Sequence, residues 1–169
     1  MINRTQTKDK SKIRKLTSTE IEVAVAEFFN IRQNIIVPNV YWGLGFRYEL
    51  DLLIISKSNC GYEIEIKVTK SDIKADQKKY NCHNSPRIRE LYFAIPDYLS
   101  DCLDLIPEQA GVILVDKNLQ CKIIKSPRRQ EKYYKFTDKE VLKLAKLGTM
   151  RIWKLKRQIV NKYHMEGKW

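Results

Sequence analysis

The spacing of hydrophobic residues predicts one helix near the start of the chain and another at its end. The first helix follows a cap at Thr17 or Ser18, has Glu20 in its first turn and ends between Phe29 and Arg32. Its apolar residues recur at helical intervals: Ile21, Ala24, Val25, Phe28 and Phe29. The second helix begins near Thr137, and its predicted core face consists of Val141, Leu144, Leu147, Ile152, Leu155 and Ile159.

Between these helices, short runs of β-branched and aliphatic residues predict strands. The runs are 35–37, 48–55, 62–68, 91–95, 111–115 and 122–125. A short polar loop joins runs 48–55 and 62–68, so we expect these two to form a hairpin. The segment after Thr69 turns helical as far as Gln77. This order of helices and strands predicts an α/β domain with a central mixed β-sheet flanked by helices.

The length of 169 residues suits a single domain. Residues 1–15 are basic and lack apolar periodicity, so we expect a flexible arm there, and we assign residues 16–169 to one domain with a basic C-terminal helix. No apolar run is long enough to span a membrane, and the N-terminal segment lacks the apolar stretch of a secretory signal. We therefore expect a cytoplasmic protein with no membrane partner.

The net charge of +12 is concentrated at the two ends of the chain. Residues 1–15 contribute +5 and residues 122–169 contribute +11, while residues 16–121 contribute −4. A basic periphery around a mildly acidic centre is what a polyphosphate ligand and a metal site would jointly require. A charge that serves only solubility is the alternative explanation.

Ionisable residues occupy one face of the predicted hairpin. Residues 62–68 alternate in period two, which places Glu63, Glu65 and Lys67 on the same face. If the strands pair, Asp51 on the preceding strand converges with Glu65, and two carboxylates supply the oxygen ligands that Mg²⁺ prefers. Lys67 would then orient or deprotonate the attacking water, or stabilise charge that develops on the phosphorus centre. Alone, such a triplet also occurs on ordinary exposed strands.

The four cysteines do not indicate a metal site. Cys60, Cys82, Cys102 and Cys121 are scattered singly, and no pair has the spacing of a zinc finger. Cys82 is adjacent to His83, but isolated residues of these types usually serve packing or lie on the surface. We therefore predict free thiols and no zinc.

Longer blocks of sequence resemble a known family. The segment YELDLL at 48–53, followed by EIEIKV at 63–68, resembles the D…(D/E)xK signature of the PD-(D/E)XK nucleases. The continuation KVTKSD at 67–72, with Ala75, Asp76 and Lys78 and then LYFAIP at 91–96 and IPEQAG at 106–111, is similar to the MmcB-like DNA-repair family within that superfamily. The similarity spans roughly residues 35–125. Leu50 stands where the name-giving motif has proline.

This resemblance implies a restriction-endonuclease-like core and Mg²⁺-dependent action on DNA, with Mn²⁺ as a substitute ion. It implies that Asp51, Glu65 and Lys67 are the catalytic residues and that Asp51 and Glu65 bind the metal. Glu49 and Glu63 are alternative ligands. Several superfamily members add a carboxylate from the first helix, and we assign this role to Glu20, with Glu22 and Glu27 as its competitors.

Basic residues near the expected site are candidates for DNA contact. One group follows the catalytic strand directly and the other lies opposite the apolar stripe of the last helix, where both could hold backbone phosphates. The predicted nucleic-acid-binding residues are Lys70, Lys74, Lys78, Lys79, Arg151, Lys154 and Arg157. Solvated helix faces are the alternative explanation for both groups.

The sequence thus predicts a metal-dependent DNA nuclease acting in repair or on phage or mobile-element DNA. Two alternatives stay open: a DNA-binding protein that keeps the nuclease fold without cutting, and an RNA-binding protein or ribonuclease. The pattern does not distinguish endonuclease from exonuclease, nor a monomer from a homodimer.

Overall fold

A computed structural model describes residues 14–41, 44–77, 83 and 85–165 of the protein. The predicted arm lies almost entirely outside these residues, and only Arg14 and Lys15 of it are described, both exposed. The helices of the described chain are α1 (Ser18–Phe28), α2 (Lys70–Gln77), a 3₁₀ helix η1 (Asp97–Leu105) and α3 (Asp138–Met165). The strands are β1 (Ile35–Val40), β2 (Leu50–Ile55), β3 (Gly61–Ile66), β4 (Ile88–Pro96), β5 (Gly111–Val115) and β6 (Cys121–Lys125).

The six strands form one mixed sheet in chain order. β1, β2 and β3 are antiparallel neighbours, as the predicted hairpin requires. β4 and β5 each run parallel to the preceding strand because α2 and η1 serve as crossovers, and β6 returns antiparallel to β5. The prediction of an α/β domain with a central mixed sheet is confirmed.

Each face of the sheet is covered by helices. On one face, Ile21, Ala24 and Val25 of α1 pack against Leu52, Ile54 and Ile64 of the sheet. The opposite face carries two separate hydrophobic clusters. One joins Leu144 of α3 to Leu53 and Ile55, and the other joins Ile73 of α2 to Phe93 and Ile95. The candidate catalytic residues of β3 lie on this second face.

Local sequence explains where α1 begins and where β1 bends. Thr17 caps α1 in a capping box, since its side chain accepts from the Glu20 N–H while the Glu20 carboxylate accepts from the Thr17 N–H. β1 continues through Pro38, which pairs opposite Leu52, although the sequence predicts that the strand stops there. Proline is tolerated because β1 is an edge strand whose outer side needs no donor.

The outer half of α3 differs from its prediction. Val141 and Leu147 pack beside Leu144 against the sheet, but the three later residues of the predicted core face are exposed. Those residues are Ile152, Leu155 and Ile159, which are 56%, 58% and 45% exposed. The reason is geometric: 28 residues of helix extend about 42 Å, whereas a six-residue strand such as β1 extends only about 20 Å.

η1 is an element that hydrophobic periodicity did not predict, because 3₁₀ helices are short and lack the 3.6-residue repeat. Within the described part of the chain, no helix combines the length and the apolar character needed to cross a membrane.

Candidate functional site

The pairing of β2 with β3 brings the first two predicted catalytic residues together. Leu52 lies opposite Ile64 and Leu53 opposite Glu63, so the same register, extended by one residue, places Asp51 beside Glu65. At the end of the β2–β3 pairing, the Ile66 N–H donates to the Asp51 side chain, at 2.8 Å from Oδ2, instead of to a backbone carbonyl of β2. Its side chain is 40% exposed, whereas that of Glu65 is only 6% exposed. Asp51 therefore lies where the site meets solvent.

Lys67 connects three carboxylates. Its Nζ donates to Glu65 Oε2 at 2.6 Å, lies 3.2 Å from Asp76 Oδ1 and 3.9 Å from Asp51 Oδ2. The Lys67 backbone N–H donates to the carbonyl of Ala94 at 3.1 Å, which anchors the residue to β4 just beyond the end of β3. The sequence-predicted triad of Asp51, Glu65 and Lys67 is thus assembled in space, and Asp76 joins it.

The crossover between β3 and β4 supplies two further residues, Asp76 and His83. The sequence placed Asp76 among the residues of the family resemblance without assigning it to the site, and it favoured packing or a surface position for His83. Asp76 follows Ile73 by three residues on α2, so both side chains turn inward. His83, described in the segment between α2 and β4, lies between Asp76 and Glu63, with Nε2 2.9 Å from Asp76 Oδ2 and Nδ1 2.7 Å from Glu63 Oε1. Its ring contacts Tyr48 and Phe93 edge to face.

Glu63 is fully buried and partnered on both oxygens. The Tyr48 hydroxyl donates to its Oε2 at 2.9 Å, and His83 binds its Oε1. Glu49, the other alternative ligand from the sequence, is exposed. We call Glu63, Glu65, Lys67, Asp76 and His83 the buried cluster.

Burial and neighbouring charges shift the pKa values of the buried cluster in opposite directions. Burial and the nearby Asp51 charge raise the pKa of Glu65 to about 7, even though Lys67 acts in the opposite direction. Burial lowers the pKa of Lys67, but Glu65, Asp76 and Asp51 outweigh burial and the net shift is upward. Lys67 is therefore a cation at neutral pH.

His83 is held in its charged form by its neighbours. Burial lowers the pKa of His83, but hydrogen bonds to Asp76 and Glu63 and the charges of both glutamates raise it to about 10. For Asp76, burial raises the pKa, and the contacts with His83 and Lys67 more than reverse that shift. Both ring nitrogens of His83 therefore donate, one to each carboxylate.

The three candidate glutamates of α1 have different surroundings. Glu20 is engaged at the N-terminus of α1 by Thr17 and Arg14. The pKa of Glu22 is raised by burial and by the charge of Asp51, so these two carboxylates lie close enough to repel each other. Glu27 is exposed. Its charge contributes to the raised pKa of Cys121 on β6, after burial and the charge of Asp116. α1 positions Glu22 because it lies one residue from the buried Ile21.

The predicted nucleic-acid-binding residues are spread over two surfaces. On α2, Lys70 and Lys74 are exposed, and Lys70 lies 3.5 Å from Asp101 of η1; Lys78 and Lys79 lie outside the described residues. On α3, Lys154 and Arg157 are exposed. Arg151 is half-buried and donates to the Asn39 carbonyl at 2.8 Å, so part of its guanidinium holds α3 against β1.

Comparison with known proteins adds a fold likeness and no function. No family model matches the chain, and no curated protein matches it. A solved structure similar to it is the SPO1766 protein of Silicibacter pomeroyi, whose function is unknown, with a TM-score of 0.61 over 87% of this chain and 94% of that one. The two sequences are 15% identical, so the likeness extends to the fold alone. The resemblance to the MmcB-like family therefore rests on the sequence motifs.

Proposed function

We propose that this protein is a metal-dependent nuclease that acts on DNA, with Asp51 and Glu65 as metal ligands and Lys67 as the catalytic cation. The observation that carries the proposal is the convergence of these three residues, with Lys67 Nζ 2.6 Å from Glu65 and 3.9 Å from Asp51. Burying ionised groups is costly unless they share partners or a ligand. A catalytic centre accounts for their presence at the end of two adjacent strands.

The donor set suits Mg²⁺, with Mn²⁺ as a substitute. Asp51 uses Oδ2 for the Ile66 N–H and Glu65 uses Oε2 for Lys67, so the other oxygen of each carboxylate is available. Glu22 adds a third carboxylate from α1. Burial raises the pKa values of Glu22 and Glu65, and the charge of Asp51 raises both further, so a divalent cation would be attracted to the negative charge of these three acids. Bound there, the ion would polarise a phosphoryl oxygen and activate water.

In this proposal, Lys67 stabilises negative charge as an ammonium ion and does not act as the general base. Because its pKa is raised, its ammonium stays protonated at neutral pH and would stabilise negative charge that builds up on the phosphate during attack. Glu65 and Asp76 fix the position of Nζ, so this stabilisation is organised before substrate binds.

The order of elements also supports the proposal. An α-helix, three antiparallel strands, a crossover helix and a parallel fourth strand is the arrangement expected of a restriction-endonuclease-like core, with the acidic residues on the second and third strands. Three of the motif blocks that carry the family resemblance, 48–53, 63–68 and 91–96, overlap β2, β3 and β4. The exposed lysines of α2 lie directly after β3, where they would contact backbone phosphates.

Cleavage of labelled DNA tests the proposal. Purified protein is incubated with linear duplex, nicked, branched and single-stranded DNA in Mg²⁺, in Mn²⁺ and in EDTA. We expect metal-dependent cleavage of at least one substrate. Asp51→Asn and Glu65→Gln should abolish it, because each removes a ligand charge at nearly constant shape, and Lys67→Met should lower the rate about 10²-fold or more. Cleavage that persists in both carboxylate variants would overturn the assignment.

A matched pair in α1 identifies the third carboxylate. Glu22→Gln should weaken Mg²⁺-dependent cleavage, since the charge of Asp51 acts on this residue. Glu20→Gln should leave cleavage unchanged while reducing stability by about 0.5–1 kcal/mol through the capping box. The reverse outcome would return the ligand role to Glu20.

A second candidate function is a DNA-binding protein that does not cut. The observation that favours it is the saturation of the buried cluster by its own cations, since Lys67 and His83 already bind its carboxylates at 2.6–3.2 Å. Salt-sensitive DNA binding, without metal-dependent cleavage of any of the four substrates, would favour this candidate over the nuclease.

A further inference from the structure

We propose that Glu63, Glu65 and His83 form a binding site for a divalent transition-metal ion, with Zn²⁺ as the first ion to test, and that this site is separate from the Mg²⁺ position at Asp51. One ligand atom from each residue lies within 4.8 Å of the other two. Glu63 and Glu65 are buried, and the His83 side chain is 8% exposed. The site shares Glu65 Oε1 with the proposed nuclease centre, so this oxygen would bridge the two ions, but Zn²⁺ binding does not depend on cleavage.

The orientation of each ligand supports this site. Glu63 Oε1 and Glu65 Oε1 both face His83 Nδ1, at 2.7 and 3.9 Å. The opposite atom of each residue is held by another group: Tyr48 binds Glu63 Oε2, Lys67 binds Glu65 Oε2 and Asp76 binds His83 Nε2. The three inward atoms therefore converge while their partner atoms are fixed from behind.

Glu65 directs one oxygen toward His83. Its side chain is 94% buried, its Oε2 accepts from Lys67, and its Oε1 lies 3.9 Å from His83 Nδ1, which is beyond hydrogen-bond distance. A metal ion between Oε1 and Nδ1 would bring both atoms into one coordination sphere.

Asp76 binds His83 in the way that carboxylates commonly bind histidine ligands of metals, through the ring nitrogen that does not contact the ion. A carboxylate that accepts from one ring nitrogen fixes the tautomer, so the other nitrogen presents its lone pair to the metal. Here Asp76 holds Nε2 and leaves Nδ1 for the ion. When the ion binds, it takes the place of the Nδ1 proton, which is released to solvent.

Charge and distance both fit a divalent ion. With His83 protonated, three carboxylates face two cations, whereas neutral His83 with a divalent ion makes the cluster neutral. Bonds of about 2.0–2.2 Å in a tetrahedral site would separate ligand atoms by about 3.3–3.6 Å. The Glu63 contact must therefore widen and the Glu65 contact shorten, each by less than about 1 Å. The imidazole favours Zn²⁺ and its neighbours over Mg²⁺.

Binding of Zn²⁺ and Co²⁺ to untagged, metal-stripped full-length protein tests the proposal. Titration calorimetry should show one Zn²⁺ per chain, and Co²⁺ should give the visible absorption of a four-coordinate ion. Both signals should be lost in His83→Gln and Glu63→Gln and weakened about 10–100-fold in Asp76→Asn. His164→Gln, which changes the other histidine, on exposed α3, should retain them. Circular dichroism establishes that each variant is folded.

The Asp51→Asn variant separates this proposal from the nuclease. It should lose Mg²⁺-dependent cleavage and keep the Zn²⁺ and Co²⁺ signals, so either proposal can fail alone. Equal Zn²⁺ binding by wild type and folded His83→Gln protein would overturn the site. Loss of binding in Asp51→Asn as well would also overturn it, because the ion would then lie at the Asp51 position.

Discussion

The buried cluster and the outer half of α3, residues 150–165, carry charge in opposite ways. In the buried cluster, five ionisable side chains lie against one another at distances of 2.6–3.9 Å. On α3, the basic residues after Arg151 project into solvent beside exposed apolar residues such as Trp153 and Leu155. Buried charges interact strongly over short, fixed distances because water does not screen them. Exposed charges attract a ligand over longer distances, and salt weakens that attraction. The first suits chemistry on one phosphate, and the second suits attraction to many.

Removing one cationic side chain should therefore reduce the free energy of unfolding far more in the buried cluster than on the outer half of α3. We expect Lys67→Met to reduce the free energy of unfolding by about 3–5 kcal/mol, because it leaves Glu65 buried without its cation and Asp76 with His83 alone. The same change at exposed Lys154 should alter stability by less than about 0.5 kcal/mol. Urea denaturation of both variants in EDTA measures the difference. Equal effects would mean that the cluster is solvated and that its charges are not coupled.

Apolar residues should show the same contrast along α3. Leu144 is fully buried against the sheet, and Leu155, three turns later, is 58% exposed. Leu144→Ala should reduce stability by about 2–5 kcal/mol, whereas Leu155→Ala should reduce it by less than about 0.5 kcal/mol. Thermal unfolding of both proteins at several concentrations measures this. A large loss for Leu155→Ala would show that the outer half of α3 is covered by a partner, such as a second copy of this chain.

Stability at alkaline pH should depend on His83. The pKa of this residue is raised from 6.5 to about 10 in the folded protein, so its contribution is complete below pH 6.5 and is lost as the pH rises through 10. Compared with His83→Gln, the metal-free wild type should lose about 1 kcal/mol for each pH unit between 7 and 10. Parallel curves for the two proteins would mean that His83 is not charged in the fold.

The sequence predicted the sheet well because its strands alternate or are short apolar runs bounded by turns. Asp51, Glu65 and Lys67 could be found because period two places the two β3 residues on one face and a hairpin brings β2 alongside. Asp76 carried a weaker signal, since its spacing from Ile73 places it on the inward face of a short helix. His83 was set aside as an isolated histidine, because it belongs to an irregular segment whose fold no repeat describes.

The failures of prediction have a common physical cause. Ile152, Leu155 and Ile159 have the spacing of a core face, but periodicity describes which side of a helix is apolar and not how far the sheet beneath it extends. Likewise, helical spacing does not decide which of Glu20, Glu22 and Glu27 of α1 would join a metal site, because that depends on how the helix packs against the sheet. In both cases the missing information concerns contacts between distant parts of the chain.

The smallest expected effect concerns the salt dependence of DNA binding. Lys154 and Arg157 are three residues apart, so they lie on the same side of α3 and are exposed together. If each contacts one phosphate, replacing both with Gln should reduce the slope of log affinity against log salt by about 2, since each contact releases about 0.9 counterions. Fluorescence anisotropy with labelled duplex DNA over a range of salt concentrations measures the slope. Lys67→Met should leave it nearly unchanged, because this ammonium is buried and already paired with Glu65 and Asp76. An unchanged slope in the double variant would exclude the outer half of α3 from the DNA interface, and the exposed lysines of α2 would then be the residues to replace.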